Sequence, residues 1–283
     1  MTTCPHPIPY QGSKRRLAPR VLRFIPEGVE TLYEPFCGSA ALSLAVARER
    51  RARRIVIGDS LEPLCGLWQR ILEEPEAVAD GYQALWLAQR GRARAWYDEV
   101  RDAFNRDHDP VKLLFLLARC VKNAVRFNAA GAFNQSPDRR RTGTQPMRMR
   151  AHLCGASALL RGRTAVRAGD YGAALDAATP RDLVYLDPPY QGTSGARDRR
   201  YHQALDRERF IDDVTRLVER GVPVIISFDG RLGARRYGPP LPSSLGLVRT
   251  ELFAGRSTQA TLLGRRSHTI EALYVSPSLV TRV

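Results

Sequence analysis

Short apolar runs that end on turn residues recur along this chain with helical patterns between them, and no other feature limits its fold so tightly. The runs are "TLYEPF" (31–36), "RIVIGD" (54–59), "TAVRAGD" (164–170), "LVYLD" (183–187), "VPVIISF" (222–228), "LVRTELF" (247–253) and "TIEALYVS" (269–276). Helical periodicity follows the first run in "SAALSLAVARER" and the second in "LEPLCGLWQRIL", and precedes the fifth in "DRERFIDDVTRLVER". Strands alternating with helices predict a parallel α/β sheet covered on both faces. One interval, 66–159, lacks this rhythm and reads mainly as helices: "VADGYQALWLAQ", "ARAWYDEVRDAFNR" and "PVKLLFLLARCVKNAV". Structureless loops of that length are rare inside compact domains, so the interval is predicted to be a second, smaller domain inserted between 1–65 and 160–283. It closes in "RFNAAGAFNQSPDRRRTGTQPMRMR", where two short aromatic segments flank a glycine turn and an arginine run follows.

Composition narrows the class. With 283 residues, 43% of them hydrophobic and 26% charged, the chain can bury a substantial core, which excludes wholesale disorder. The net charge is +15, and of the 44 basic residues only Lys14, Lys112 and Lys122 are lysines. Such a surplus suits a polyanionic partner, above all nucleic acid, but it also suits a solvated basic surface; charge alone does not choose. Cys4, Cys37, Cys65, Cys120 and Cys154 are scattered, with neither metal-ligand spacing nor a disulfide framework. No apolar signal core or membrane-length run is present. The expectation is a soluble cytoplasmic protein without metal or membrane attachment.

The end of the first run, "YEPFCGSAALSLA", places Gly38 and small residues at a strand-to-helix turn, where backbone amides point at a ligand. Asp59 ends the second strand about twenty residues later, the separation at which doubly wound folds place an acid on ribose hydroxyls. A pyrophosphate cradle would want further glycines, and Glu34 would repel phosphate. That acid suits instead the cationic methionine part of S-adenosylmethionine. The candidate donor-binding set therefore includes Glu34, Pro35, Phe36, Gly38, Asp59 and Ser60.

In "VYLDPPYQG", Pro188 forces Asp187 into extended geometry and gives its carboxylate a defined direction. An exocyclic amine could then be held between the Asp187 carboxylate and the Pro188 carbonyl, with Tyr190 stacked on its ring and its lone pair aimed at an electrophilic methyl group. Alignment and fixed dipoles, without a strong base, would supply the catalysis. The alternative for these residues is a rigid turn carrying a surface acid.

The ordered set "PYQGSKRRLAPRVLRFIP", "YEPFCGSAALSLA", "GDS", "RFNAAGAFNQ", "AGDY" and "VYLDPPYQG" resembles the DNA adenine methylase (Dam-like) family of N6-adenine methyltransferases, over most of the chain. The resemblance implies a Rossmann-like seven-stranded methyltransferase sheet of the α/β class, with an inserted, mainly helical target-recognition domain carrying a β-hairpin. It implies S-adenosyl-L-methionine as cofactor, double-stranded DNA as partner and extrusion of the target base from the duplex. It places Tyr10 and Lys14 against the donor, Gly38 in its turn and Asp59 on its ribose, and sets Asp170 and Tyr171 around its adenine. Asp187, Pro188, Pro189 and Tyr190 become the catalytic loop. Read without the family, Tyr10 is equally a core aromatic, Lys14 a surface lysine and Asp170 a turn residue. "SFDG" (227–230) stands where the family carries an asparagine-bearing loop, and its role is open.

For DNA, the candidates are Arg126, Phe127, Asn128, Phe133 and Asn134 around the Gly131 turn, with an aromatic wedge beside amide side chains. Packing of the same phenylalanines on the helical domain is the competing reading. Arg139, Arg140 and Arg141, with Arg148 and Arg150 beyond, are spaced to meet phosphates. Two other functions fit the pattern less well, a cytosine N4 methyltransferase and a non-catalytic DNA-binding specificity module. The recognition sequence, the oligomeric state and any cognate restriction enzyme are not legible.

Overall fold

A computed structural model describes residues 3–189, 205–232, 235–236, 238–256 and 268–280. Eight strands lie in one mixed sheet: β1 (Val29–Glu34), β2 (Ala52–Asp59), β3 (Thr164–Ala168), β4 (Leu183–Leu186), β5 (Val224–Leu232), the two-residue β6 (Arg235–Arg236), β7 (Val248–Arg256) and β8 (His268–Val275). Seven run in the order β3-β2-β1-β4-β5-β8-β7, while β6 pairs with β5 at the side. The first five of that order are parallel, and β8 joins β5 and β7 antiparallel. This is the seven-stranded α/β sheet of the sequence reading. Its strand order reverses between β1 and β4, the switch point at which open α/β sheets hold ligands beyond their carboxyl ends.

β4 shows why the middle strands read as unbroken apolar runs. Leu183 and Tyr185 enter the core on one face, and Val184 and Leu186 enter the core on the other. All four are buried, as expected for a parallel strand with both faces covered.

Among the described residues the α-helices are α1 (Ala18–Val21), α2 (Ala41–Arg48), α3 (Glu62–Glu73), α4 (Pro75–Ala88), α5 (Ala93–Asp107), α6 (Pro110–Arg119), α7 (Pro146–Leu160), α8 (Gly172–Ala177), α9 (Arg207–Glu219) and α10 (Pro277–Val280). Asp206 caps α9 through the amides of Glu208 and Arg209, and Asp109 caps α6 through those of Val111 and Lys112. The helical block carries α4 to α7, and its apolar residues, among them Tyr82, Phe104 and Phe133, belong to the same continuous core as Leu32 and Leu183 of the sheet.

Two local expectations differ from the structure. The helical pattern that continues to Val125 stops at Arg119, where Cys120 turns extended (ψ 160°), and Lys122 and Asn123 beyond it adopt left-handed backbone (φ 61° and 53°). Helix α7 was hidden in the sequence by its arginines and by a buried stripe built from Met149, Leu153, Ala156, Ser157 and Leu160, partly of small or polar residues. Among the described residues no helix is long and apolar enough to cross a membrane, and no cluster of three or more potential metal ligands occurs.

Candidate active site

The turn after β1 is built around Gly38. Its φ of +45° lies in the left-handed region, and a Cβ there would meet the Tyr10 ring at 3.1 Å, so both backbone and space ask for glycine. The Gly38 amide donates to Asp59 Oδ2 (3.1 Å) and the Leu61 amide to Asp59 Oδ1 (3.1 Å). Asp59 thereby ties the glycine turn to the head of α3. Trp68 donates its indole N–H to the Gly38 carbonyl (3.0 Å), and Ser39 donates to the Ser13 hydroxyl (2.7 Å). The segment bearing Tyr10 and Lys14 is thus held against the turn, and the Gln11 amide also donates to the Asn123 carbonyl (2.9 Å).

Glu34, at the end of β1, is 3% exposed and accepts from the Ser43 amide (2.9 Å) and the Ser43 hydroxyl at the start of α2. Burial pushes its carboxyl up to about 8, against the pull of those hydrogen bonds, and the nearby Asp187 adds to the rise. Glu34 is therefore mainly neutral at pH 7 in the donor-free protein. The cation-attracting role expected of it requires ionisation when a cation arrives.

Asp187 follows β4 at the switch point. Lys14 Nζ stands 3.0 Å from Asp187 Oδ1 and 3.6 Å from Glu271 Oε2 on β8. The buried Ser227 of β5 hydrogen-bonds the same Asp187 carboxylate. Burial raises the Asp187 carboxyl to about 6; Lys14 pulls it back, and Glu271 adds to the rise. Glu34, Asp187, Ser227 and Glu271 thus form a polar row drawn from four neighbouring strands, β1, β4, β5 and β8. Pro188 is buried and Pro189 half-buried behind it. Tyr190 lies outside the described residues.

Asp170 and Tyr171 come together with Phe36 beyond β3 and β1. Phe36 and Tyr171 have ring centroids 5.1 Å apart, and Tyr171 donates its hydroxyl to Asp213 on α9 (2.7 Å). Arg209 lies over the Tyr171 ring at 5.2 Å and forms two bonds with the Asp170 carboxylate. The Gly172 amide also donates to Asp170 (2.8 Å). The structure accordingly brings together Glu34, Pro35, Phe36, Gly38, Asp59 and Ser60 along the ends of β1 and β2, with Tyr10 and Lys14 above the turn. Ser227 and Glu271 are the members of the site that the sequence reading did not pick out. The available signal was a polar residue inside the apolar run "VIISF" and an acid inside "TIEALYV".

The hairpin of the insertion is irregular, framed by antiparallel bridges between Phe127 and Phe133 and between Cys120 and Pro137. Its exposed tip is Asn128 to Gly131, and Asn128 Oδ1 accepts from the amides of Ala130 and Ala132 (3.0 and 2.9 Å). Here the wedge expectation needs correction. Phe133 is 1% exposed, edge-on to Phe104 and Phe127, and its backbone is bonded on both sides by the Asn105 amide group. It belongs to the same hydrophobic core as Leu32 and Leu183 of the sheet, and Phe127 packs half-buried beside it. Arg126 is half-buried, while Asn134 is exposed.

The arginine loop is fixed from below. Arg119, 3% exposed, donates to the carbonyls of Asp138 (3.1 Å) and Arg141; Gln89 donates to the Thr142 carbonyl (3.0 Å) and Tyr82 to the Thr144 carbonyl (2.7 Å). Arg139 and Arg140 are exposed on this frame. Arg141 turns back to the Asp138 carboxylate (2.8 Å) and the Cys120 carbonyl (3.3 Å). Arg150 is also corrected as a phosphate contact, because it is engaged by Glu76 and Asp80 of α4.

A doubly wound sheet with a glycine turn, a strand-end acid and an Asp-Pro-Pro loop at its switch point has the form of a ligand site beyond the strand ends of an open α/β sheet. Residues 10–229 match the family described as D12 class N6 adenine-specific DNA methyltransferase, and the chain belongs to that family. It is similar to the DNA N-6-adenine-methyltransferase of Escherichia phage P1, with 26% identity over 258 residues that make up 88% of this chain and 32% of that protein. It is similar also to type II methyltransferase M1.LlaDCHI of Lactococcus lactis subsp. cremoris (24% over 233 residues, 77% of this chain and 78% of that protein). A third relative is modification methylase StsI of Streptococcus sanguinis (24% over 195 residues, 67% and 29%). The chain spans about a third of the length of the phage P1 protein.

Proposed function

We propose that this protein transfers a methyl group from S-adenosyl-L-methionine to the N6 amine of an adenine extruded from double-stranded DNA. The observation that carries the reading is the Asp187 carboxylate, fixed at the switch point beside Lys14 and Ser227. Adenine N6 is favoured over cytosine N4 by the adenine-specific family to which the chain belongs. An intact Gly38 turn with Asp59 and Asp187 in register favours an enzyme over a non-catalytic DNA-binding module.

The residues at the strand ends fit the donor by their chemistry. Tyr10 lays its ring on bare Gly38 at the edge of the turn, Asp59 offers a carboxylate to hydroxyl groups, and Phe36 with Tyr171 offers aromatic walls near Asp170. Ser60 and Pro35 flank these groups, and Glu34 and Asp187 present carboxylates to cationic parts of a ligand. When bound, the donor supplies an electrophilic methyl group. Asp187, ionised, accepts a hydrogen bond from the amine and fixes its direction, and the Pro188 carbonyl accepts the other hydrogen. Tyr190 is assigned the stacking role. Because the amine attacks before it loses its proton, this arrangement works by alignment and fixed dipoles.

DNA docks on the insertion, which we take as 66–159, through the exposed tip Asn128–Gly131, through Arg126 and Asn134 beside it, and through Arg139 and Arg140 on the phosphates. Nucleoside mass spectrometry of duplex DNA incubated with the protein and S-adenosyl-L-methionine tests the reading. N6-methyladenine is expected; N4-methylcytosine, or no methylated base from folded protein, would overturn it.

A further inference from the structure

We infer that Glu271 is a positioning residue: it draws Lys14 toward β8, so that the Asp187 carboxylate can accept the hydrogen bond of the target amine. This rests on the methyl-transfer reading above. Asp187 must offer lone pairs to the incoming amine, yet Lys14 Nζ sits 3.0 Å from its Oδ1, and Ser227 bonds the same group. With Asp187 as its sole carboxylate partner, the ammonium would compete with the amine for that acceptor. Glu271 Oε2, 3.6 Å from Nζ, gives Lys14 a second carboxylate within a small movement.

Both carboxylates are well enclosed, at 18% and 12% side-chain exposure, so their attraction for the ammonium is little screened. The groups facing Asp187 from the elements around it are Lys14 from the N-terminal turn, Glu34 from β1, Ser227 from β5 and Glu271 from β8. Burial pushes the Glu34 carboxyl up, and the one lysine lies within reach of both Asp187 and Glu271. An ammonium shared in this way moves between them at low cost.

The unusual "SFDG" segment fits the same device. The pairing of β5 with β8 shifts register between Phe228 and Arg231. A Cβ on Gly230 would come within 2.8 Å of the Ile270 carbonyl and 3.4 Å of Glu271 Oε2. The bare glycine therefore lets the Glu271 carboxylate lie against the bulge. Ser227, three residues earlier, holds Asp187 from the same strand.

Glu271→Gln keeps the shape and removes the charge, so Lys14 then settles on Asp187. Two readouts follow. The acid limb of kcat/KM moves to lower pH by about one unit, as expected when a nearby like charge is lost and an opposite charge closes in. At neutral pH kcat falls about tenfold or more, with KM for DNA and donor little changed. In donor-free protein labelled with 13C at the aspartate carboxyls, and with Asp187→Asn to assign the signal, the Asp187 titration moves down in the same way. Glu271→Asp, which keeps the charge at shorter reach, retains more of kcat than Glu271→Gln and provides the measurement if the amide variant fails to fold. A folded Glu271→Gln with unchanged kcat and acid limb overturns the inference. So does lost activity with an unmoved Asp187 titration, which would mark a structural role, and so does a Glu271→Asp indistinguishable from wild type in kcat and titration. If wild-type protein makes no N6-methyladenine, the functional reading fails instead, while the donor-free titration still reports on the link between Glu271 and Asp187.

Discussion

At the switch point of the sheet and at the arginine loop of the insertion, polar groups are fixed in opposite ways. Near β1, β4, β5 and β8 the backbone is the rigid part, and it aims side chains: Glu34 ends β1, Asp187 follows β4, and Ser227 and Glu271 stand within β5 and β8. In the insertion the side chains are the rigid part and they aim backbone: Arg119, Gln89 and Tyr82 hold carbonyls from Asp138 to Thr144, and Asn105 and Tyr97 hold those of Phe133 and Gln135. The first arrangement suits chemistry, where one carboxylate must be placed to a fraction of an ångström. The second suits docking, where a loop must keep its shape while its arginines reach outward. A buried side chain lost in the insertion should therefore cost shape, and one lost at the sheet end should cost catalysis.

The largest expected effect breaks the sheet end alone. Asp187→Ala should lower methylation about a thousandfold, comparable to removing a principal transition-state contact, with DNA affinity preserved in a gel-shift or fluorescence titration. Next comes the insertion: Arg119→Met strips the partner from the Asp138 and Arg141 carbonyls. It should cost about 1–3 kcal/mol of stability in urea unfolding and weaken DNA binding, with the chemical step in single turnover at saturating DNA nearly unchanged. A pH series probes the sheet end without mutation. With the Asp187 carboxyl pushed up to about 6 by burial and needed ionised, kcat/KM should fall about tenfold per unit below that pH, while DNA affinity need not follow the same limb. The smallest effect separates the arginines: Arg139→Ala and Arg140→Ala should each lower the salt slope of DNA binding by about 0.9. Arg150→Ala should leave the slope unchanged, because Glu76 and Asp80 already engage that guanidinium.

The same contrast explains what was legible in the sequence. Strands such as "LVYLD" announce themselves because both faces are buried, and Asp187 and Gly38 are visible because proline and glycine mark turns by local geometry. In the insertion the decisive contacts are non-local. Phe133 reads as an exposed aromatic beside a glycine until Phe104 and Asn105 close over it. Arg119 reads as an ordinary basic residue at a helix C-terminus until the loop folds back across it. Glu271 sits inside a strand, and the Lys14 that stands 3.6 Å from it comes from the N-terminal turn, far away in sequence.

The place of β8 in the sheet has a consequence for synthesis. It slots between β5 and β7, although it leaves the ribosome after both. Until it arrives, β5 presents an unpaired edge and Lys14, made well before it, lacks its contact with Glu271. A nascent chain can thus complete its parallel strands and its helical block before Glu271 meets Lys14 beside Asp187, and a product truncated ahead of β8 would lack that side of the polar row.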